Sequence, residues 1–144
     1  MIEETNRKVV ELFRSGKYSE AESLALEVLQ NAEREDESDF HQVATCLNNL
    51  AEIYRAQQRL EEAIPLWKRA LTLREKKQGL QHPEVAIILN NLGGAQFEKG
   101  DYRQADVFFR RALQILENVV GPESPAVISC LNNLAAVNMR SEEH

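Results

Sequence analysis

The triplet Asn-Asn-Leu occurs at residues 48–50, 90–92 and 132–134, 42 residues apart each time, and the residues around it keep the same register. A fixed period of roughly 20 to 50 residues marks an array of supersecondary units that bury their apolar faces by stacking. No other feature constrains the fold as strongly. Counting back a further 42 residues from Asn48 reaches Asn6, and the segment from Asn6 to Leu47 keeps the gross pattern although its own triplet reads Asn6-Arg7-Lys8. The chain of 144 residues therefore reads as one domain of three full repeats, 6–47, 48–89 and 90–131, with a part-repeat from Asn132. A terminal capping helix is expected over roughly 124–141. Arrays of this kind offer an extended surface in place of a catalytic cleft, so binding is the first functional class to consider.

Each repeat has the pattern of a helical hairpin. Leu47, Leu50, Ala51 and Tyr54 fall at i, i+3, i+4 and i+7 and form one apolar stripe. After the polar break Gln57-Gln58-Arg59, a second stripe follows in Leu60, Ala63, Ile64, Trp67, Ala70, Leu71 and Leu73, so two antiparallel helices share a tight turn. The next repeat has Leu89, Leu92 and Gly93, the turn Lys99-Gly100-Asp101, then Tyr102, Ala105, Phe108, Phe109, Ala112 and Leu113. Small residues recur at Ala51 and Gly93, Ala63 and Ala105, and Ala70 and Ala112, where two helix backbones have to approach closely. In the first repeat the turn is Ser15-Gly16-Lys17, followed by Tyr18, Ala21 and Leu24. Between repeats, Gly79 with Pro83 and Gly121 with Pro125 supply stop and start signals. Pro65 falls inside a helical pattern, where a slight bend is expected. In the last helix Leu131, Leu134 and Ala135 extend the core stripe, while Asn138 stands where Tyr54 does and suits a solubilising cap.

Composition narrows the function. A net charge of −6 argues against general nucleic-acid binding, which needs a basic field. The local cluster Lys68, Arg69, Arg74, Lys76 and Lys77 lies at helical spacing and reads as a solvated face. No apolar run approaches the roughly 18 residues of a membrane span, and the first residues have no secretory pattern. A soluble cytoplasmic protein is the expectation. Cys46 and Cys130 occupy the same repeat position two repeats apart. Helices pack at roughly 8–10 Å and a disulfide needs Cα atoms within about 7 Å, so both are expected to be small core residues. His41, His82 and His144 have no metal-ligand spacing with each other or with the cysteines, and no metal is expected. There is no paired nucleophile and base and no glycine-rich phosphate loop, so neither an enzyme nor a cofactor is expected.

These features resemble the tetratricopeptide repeat, and more narrowly the 42-residue variety of kinesin light chains and similar proteins. The resemblance is carried by Leu-Asn-Asn-Leu-Ala-x-x-Tyr at 47–54, Glu-Glu-Ala-Ile-Pro-Leu-Trp-Lys-Arg-Ala-Leu at 61–71, His-Pro-Glu-Val-Ala at 82–86, and their counterparts in the next repeat. It implies an all-α fold, a right-handed superhelical solenoid of antiparallel helix hairpins, with about seven helices. The first repeat departs from the pattern: Lys8 replaces the leucine and Phe40-His41 stand in place of His-Pro. The charge of Lys8 on a face that would pack against a preceding repeat suggests an N-terminal cap.

The resemblance also implies that first helices of successive repeats line a concave groove. Steps of 100° place Thr45, Asn49, Glu52 and Ala56 opposite the apolar stripe, with Asn48 and Arg55 at its edge. The counterparts are Ile87, Asn91, Gly94 and Glu98 with Asn90 and Phe97; Ser129, Asn133, Ala136 and Arg140 with Asn132 and Met139; and Glu3, Arg7, Val10 and Arg14 with Asn6 and Phe13. Asn49, Asn91 and Asn133 would form a ladder of carboxamides, each a donor and an acceptor, able to pair with the backbone of an extended peptide. Asparagines here hold peptide backbones in similar repeats; the other reading is that they bond neighbouring helices. Asn48, Asn90 and Asn132 are secondary candidates. Arg7, Arg14, Arg55 and Arg140, with Phe13, Phe97, Met139 and Ile87, suggest a ligand with acidic residues and an apolar anchor. Glu3, Glu52 and Glu98 oppose that charge preference. Chaperone-binding members of the family grip a C-terminal carboxylate, but the matching positions here are Asn6, Val10, Ile87 and Asn91, and only Asn49 fits. The expected function is a non-catalytic adaptor for a short linear segment of another protein. The alternative is self-assembly through the convex face or through the terminal helix, where Ala136, Val137 and Met139 make a small adhesive surface.

Overall fold

The computed structural model describes residues 2–33 and 40–142, which form seven α-helices and no strand. They are α1 (Ile2–Arg14), α2 (Tyr18–Glu33), α3 (Phe40–Ala56), α4 (Leu60–Gln78), α5 (Pro83–Lys99), α6 (Tyr102–Val119) and α7 (Pro125–Glu142). Glu143 and His144 lie outside the described residues. None of these helices is long and apolar enough to cross a membrane. The chain divides into two compact units, Met1–Lys77 and Gln78–His144.

Helix ends fall where turn chemistry puts them. At the α1–α2 turn, Gly16 donates to Phe13 O at 3.0 Å and Lys17 to Leu12 O at 2.9 Å, and at the α5–α6 turn Gly100 and Asp101 repeat this with Phe97 O and Gln96 O at 3.0 and 2.9 Å. These paired bonds close a helix C-terminus on a left-handed residue, and Gly16 and Gly100 have φ of 77° and 92°. The α3–α4 turn makes the same bonds, Gln58 to Arg55 O at 2.9 Å and Arg59 to Tyr54 O at 2.7 Å, but the left-handed residue is Gln58, at φ 60°. Asp101 then caps α6 by accepting from Gln104 N at 3.2 Å, and His82 Nδ1 caps α5 by accepting from Glu84 N at 3.1 Å. Helices α5 and α7 begin at Pro83 and Pro125 as the stop and start signals require. Helix α4 runs unbroken through Pro65.

In the N-terminal unit, the core between α3 and α4 is built from Leu47, Leu50, Ala51 and Tyr54 against Ala63, Ile64, Trp67, Ala70 and Leu71, all buried. Its α3–α4 turn is tied to α2 by Arg59, which donates to Glu22 at 3.1 Å, to Glu62 at 2.7 and 2.9 Å and to Gln57 at 2.9 Å. The guanidinium lies 4.3 Å over the Tyr54 ring. Its bonds to Glu62 hold that carboxyl below its ordinary value, while burial and the nearby Glu22 push the Tyr54 hydroxyl up.

In the C-terminal unit, α6 packs against α5 and α7. A Cβ at Gly93 would stand 2.6 Å from two carbons of the Phe109 ring, so the ring packs directly on the Gly93 backbone and leaves no room for a side chain there. The apolar stripe expected for α7 needs correction. Leu134 is buried, but Leu131 is 49% exposed and Ala135 is exposed; the core face is Val127, Cys130, Leu134 and Val137. In α3 and α5 the equivalents Leu47 and Leu89, and Ala51 and Gly93, are buried, Gly93 beneath the Phe109 ring of the second helix of its hairpin. No described helix follows α7, so only its face toward α5 and α6 is buried. For the same reason Val137 is part of the core and not of an adhesive surface; the exposed apolar residues of α7 are Ile128, Leu131 and Met139.

Two outcomes follow from this packing. Gly93→Ala is expected to lower stability by about 1–3 kcal/mol in chemical denaturation, because the Phe109 ring it would strike is itself buried. Gln58→Gly is expected to raise stability by about 0.5–1 kcal/mol in the same measurement, since relief of the left-handed strain exceeds the entropy of the added glycine.

Candidate functional site

Helices α1 and α3 of the N-terminal unit line an open pocket of about 420 Å³. Glu3, Asn6, Arg7, Val10, Glu11 and Arg14 line it from α1, and His41, Gln42, Thr45 and Asn49 from α3. The spacing of three and four along each helix means that each presents a single face to it.

The polar groups of this pocket are incompletely paired. Asn6 is only 4% exposed, and its Nδ2 donates to the Gln42 main-chain oxygen at 3.3 Å and to Gln42 Oε1 at 3.2 Å. Its Oδ1 is buried and accepts nothing, and Asn49 Nδ2 is buried and donates to nothing. Buried polar atoms are nearly always satisfied, and one left bare costs about 1–3 kcal/mol. Both atoms belong to residues that line the pocket, and both lie below its surface.

Charge is distributed unevenly around it. Arg7 pairs with Glu3 at 3.1 Å, but both side chains are well exposed, so the pair adds little stability. Arg14 is exposed and has no ion-pair partner among the described residues. From α4, the buried Arg74 reaches the same wall: its Nη1 lies 3.1 Å from His41 Nδ1, and its Nη2 donates to Thr45 Oγ1 at 3.5 Å. A guanidinium only donates, so Nδ1 of His41 is the acceptor and the ring proton sits on Nε2. Arg74 does not belong to the solvated cluster in which its charge placed it. One signal could have found it: Leu116, 42 residues on, is also buried.

Asn6, Asn48 and Asn90 occupy one repeat position yet have three different partners. Asn48 Oδ1 accepts from Trp67 Nε1 at 2.9 Å, satisfying a fully buried indole. In the next repeat Phe109 stands where Trp67 does and offers no donor. Asn90 Oδ1 instead accepts from Asn133 Nδ2 at 3.2 Å and lies 3.7 Å from Cys130 Sγ, so α5 is bonded to α7. In the first repeat Ala25 takes the tryptophan position and Asn6 turns to α3.

Both cysteines are free and buried, with Cys46 Sγ donating to Ala25 O at 3.2 Å and burial pushing the Cys130 thiol up. No group of three or more histidine, cysteine or acidic side chains among the described residues could hold a metal.

The tetratricopeptide repeat model matches the sequence in three overlapping ranges, 9–76, 42–118 and 84–144. The chain belongs to the tetratricopeptide repeat family. Among solved structures it is similar to BtubC (BKLC) from P. vanneervenii, with 24% identity over 94% of this chain and a TM-score of 0.84. It spans about half of that protein, 54% of its length. A kinesin light chain-like protein of Podosopora anserina with nearly identical repeats matches at 18% identity, over 98% of this chain and 67% of that one, with a TM-score of 0.87. The Yersinia enterocolitica type III secretion chaperone SycD, solved in complex with a peptide of the translocator YopD, matches at 13% identity over 96% of this chain and 93% of its own, with a TM-score of 0.74. These likenesses concern the fold, the solenoid of helix hairpins. No curated protein sequence matches.

In this tetratricopeptide chain, the α1–α3 pocket brings together Arg14 and Asn49 with Asn6, Arg7, Val10 and Thr45, which the helical steps had put on one face of each helix. Asn48 and Arg55 do not line it; Asn48 faces Trp67, and Arg55 is half-buried where Phe13 and Phe97 stand in the other repeats. Those two rings pack on Tyr18 and Tyr102 with centroids 5.5 Å apart in both cases. In the C-terminal unit Asn91 is half-buried, Asn133 donates from its amide nitrogen to Asn90, and Arg140 is exposed on α7. Asn48→Ala is expected to cost about 1–3 kcal/mol in chemical denaturation, by leaving the Trp67 N–H buried and unpaired.

Proposed function

We propose that this chain is a non-catalytic interaction module that holds an extended segment of another protein, with the α1–α3 pocket of its N-terminal unit as a contact site. The observation that carries this reading is the pocket itself, in which one face of α1 and one face of α3 bring Asn6, Arg14, Thr45 and Asn49 together. A peptide unit presents an N–H and a C=O whatever its side chain, and the half-buried Gln42, Thr45 and Asn49 on the pocket wall carry polar side chains of both kinds. Arg14, without an ion-pair partner among the described residues, offers its guanidinium to a carboxylate on the segment, and Val10 offers apolar contact for an anchor. The peptide bound to SycD supports the reading as a property of a similar fold. In the C-terminal unit, Asn91, Asn133, Asn90, Phe97 and Arg140 are proposed as further contacts, as is Arg55 in the N-terminal one. We place the protein in the cytoplasm, where Cys46 and Cys130 would stay reduced.

The exposed residues Ile128, Leu131 and Met139 on α7 favour a second reading, self-assembly through that helix. One variant separates the two. Removing a bare donor relieves a desolvation cost, so Asn49→Ala is expected to be at least as stable as the wild type, by up to about 1 kcal/mol, while losing most peptides that a display selection draws to the wild type. A merely structural Asn49 would give the opposite stability change. Peptides retained in full by the variant would overturn the pocket reading. A wild type that selects nothing, and whose mass in light scattering rises with concentration, would establish self-assembly in its place.

A further inference from the structure

A second concavity, separate from the α1–α3 pocket, lies in the N-terminal unit between α3 and α4 and encloses about 640 Å³. Its floor is apolar, made by Val43, Leu47, Pro65 and Leu73. Its charged rim is entirely basic: Lys68, Arg69 and Lys76, with no carboxylate among the lining residues. That is a notable local charge on a protein of net charge −6.

Comparison with the next repeat makes the rim specific to α4. Lys68 stands in the place of Arg110, which is neutralised by Asp106 at 2.8 Å. The position of Asp106 is taken here by Ile64, which is buried, so Lys68 has no such carboxylate one turn before it. Lys76 stands where Asn118 does, an uncharged residue. Lys68 and Lys76 are both exposed, and neither has an ion-pair partner among the described residues. They lie eight residues apart on α4, about 12 Å of helix rise, with Thr72 midway between them. The span therefore matches two to three turns of a guest helix.

We propose that this trough takes an amphipathic acidic helix of a partner protein, with apolar side chains on the floor and glutamate or aspartate against the lysine row. Helix-in-groove recognition uses anchors at i, i+3, i+4 and i+7, and a trough between two antiparallel helices accommodates that ridge. Charge decides among occupants. Three basic side chains fall short of the cluster of roughly four to eight that draws a protein to anionic lipid, and the apolar floor beside them suits leucine-type side chains and offers nothing to a phosphate backbone.

The test uses the full chain and a labelled helical peptide with leucine at i, i+3, i+4 and i+7 and glutamate elsewhere, followed by fluorescence anisotropy. The glutamate peptide is expected to bind, more weakly as salt rises, and a peptide with lysine in place of glutamate is not. Lys68→Glu with Lys76→Glu is expected to weaken binding about tenfold or more, while Asn49→Ala leaves it unchanged. Circular dichroism establishes that the exposed substitutions leave the fold intact; Lys68→Gln with Lys76→Gln gives the same direction with a smaller loss. Binding of both peptides alike, binding of neither, or binding indifferent to the lysine substitutions would overturn the proposal. So would capture of phosphatidylserine vesicles in preference to the glutamate peptide.

Discussion

The close approach of the two helices in each hairpin is the constraint on which the rest of the structure depends. A single amphipathic helix of this length cannot bury its stripe alone, and the second helix has to come near enough to exclude water from both. In the N-terminal unit Ala51 gives Trp67 the space to become fully buried; in the C-terminal unit Gly93 does this for Phe109, with no room for a further methyl group. The turns serve that approach. A left-handed residue with two main-chain bonds reverses the chain at all three hairpins, even where the residue is Gln58 and pays a conformational cost for it. Helix α7 demonstrates the constraint by exception, because the positions that bury Leu47 and Leu89 leave Leu131 half exposed when no described helix covers them.

The period of 42 residues made most of this fold readable. It placed the hairpins, the glycine and proline boundaries and the buried faces of α3 to α6, since periodicity identifies which residues share a face. Periodicity is silent about what covers that face. Leu131 and Ala135 were assigned to the core because their equivalents are buried, yet burial belongs to the pair of helices and not to the stripe. Arg74 failed in the opposite direction. Its charge suggested a solvated position, although its register with Leu116 put it inside, and a long side chain can bury its stem while its guanidinium finds acceptors on a neighbouring helix.

The pocket was legible to a similar depth. Steps of 100° gathered Arg7, Val10 and Arg14 on one face of α1 and Thr45 and Asn49 on one face of α3, and the structure places all five around one pocket. The contribution of Arg74 could not be read this way, because it comes from α4 and concerns which atoms of His41 and Thr45 are already engaged. Nor could the states of the asparagines. Whether a carboxamide is bare or bonded depends on a residue some twenty or forty positions away, which no local pattern contains.

Those asparagines carry a more general consequence for repeat proteins. Asn6, Asn48 and Asn90 are identical in type and register, and a sequence ladder invites a single role for all of them. Their chemistry is set by the facing position instead, which holds Ala25, Trp67 or Phe109. An indole supplies a donor that fixes Asn48 inside its hairpin; a phenyl ring supplies none and releases Asn90 to α7; a methyl group leaves Asn6 to reach α3 with one oxygen still bare. The same logic governs the basic trough, where replacing an aspartate equivalent by Ile64 leaves Lys68 without a partner that Arg110 possesses. Repetition therefore accounts for the fold, and the places where one repeat departs from the next decide which surfaces are left with unspent charge and unspent hydrogen bonds. In a solenoid, those departures are where binding specificity has to be sought.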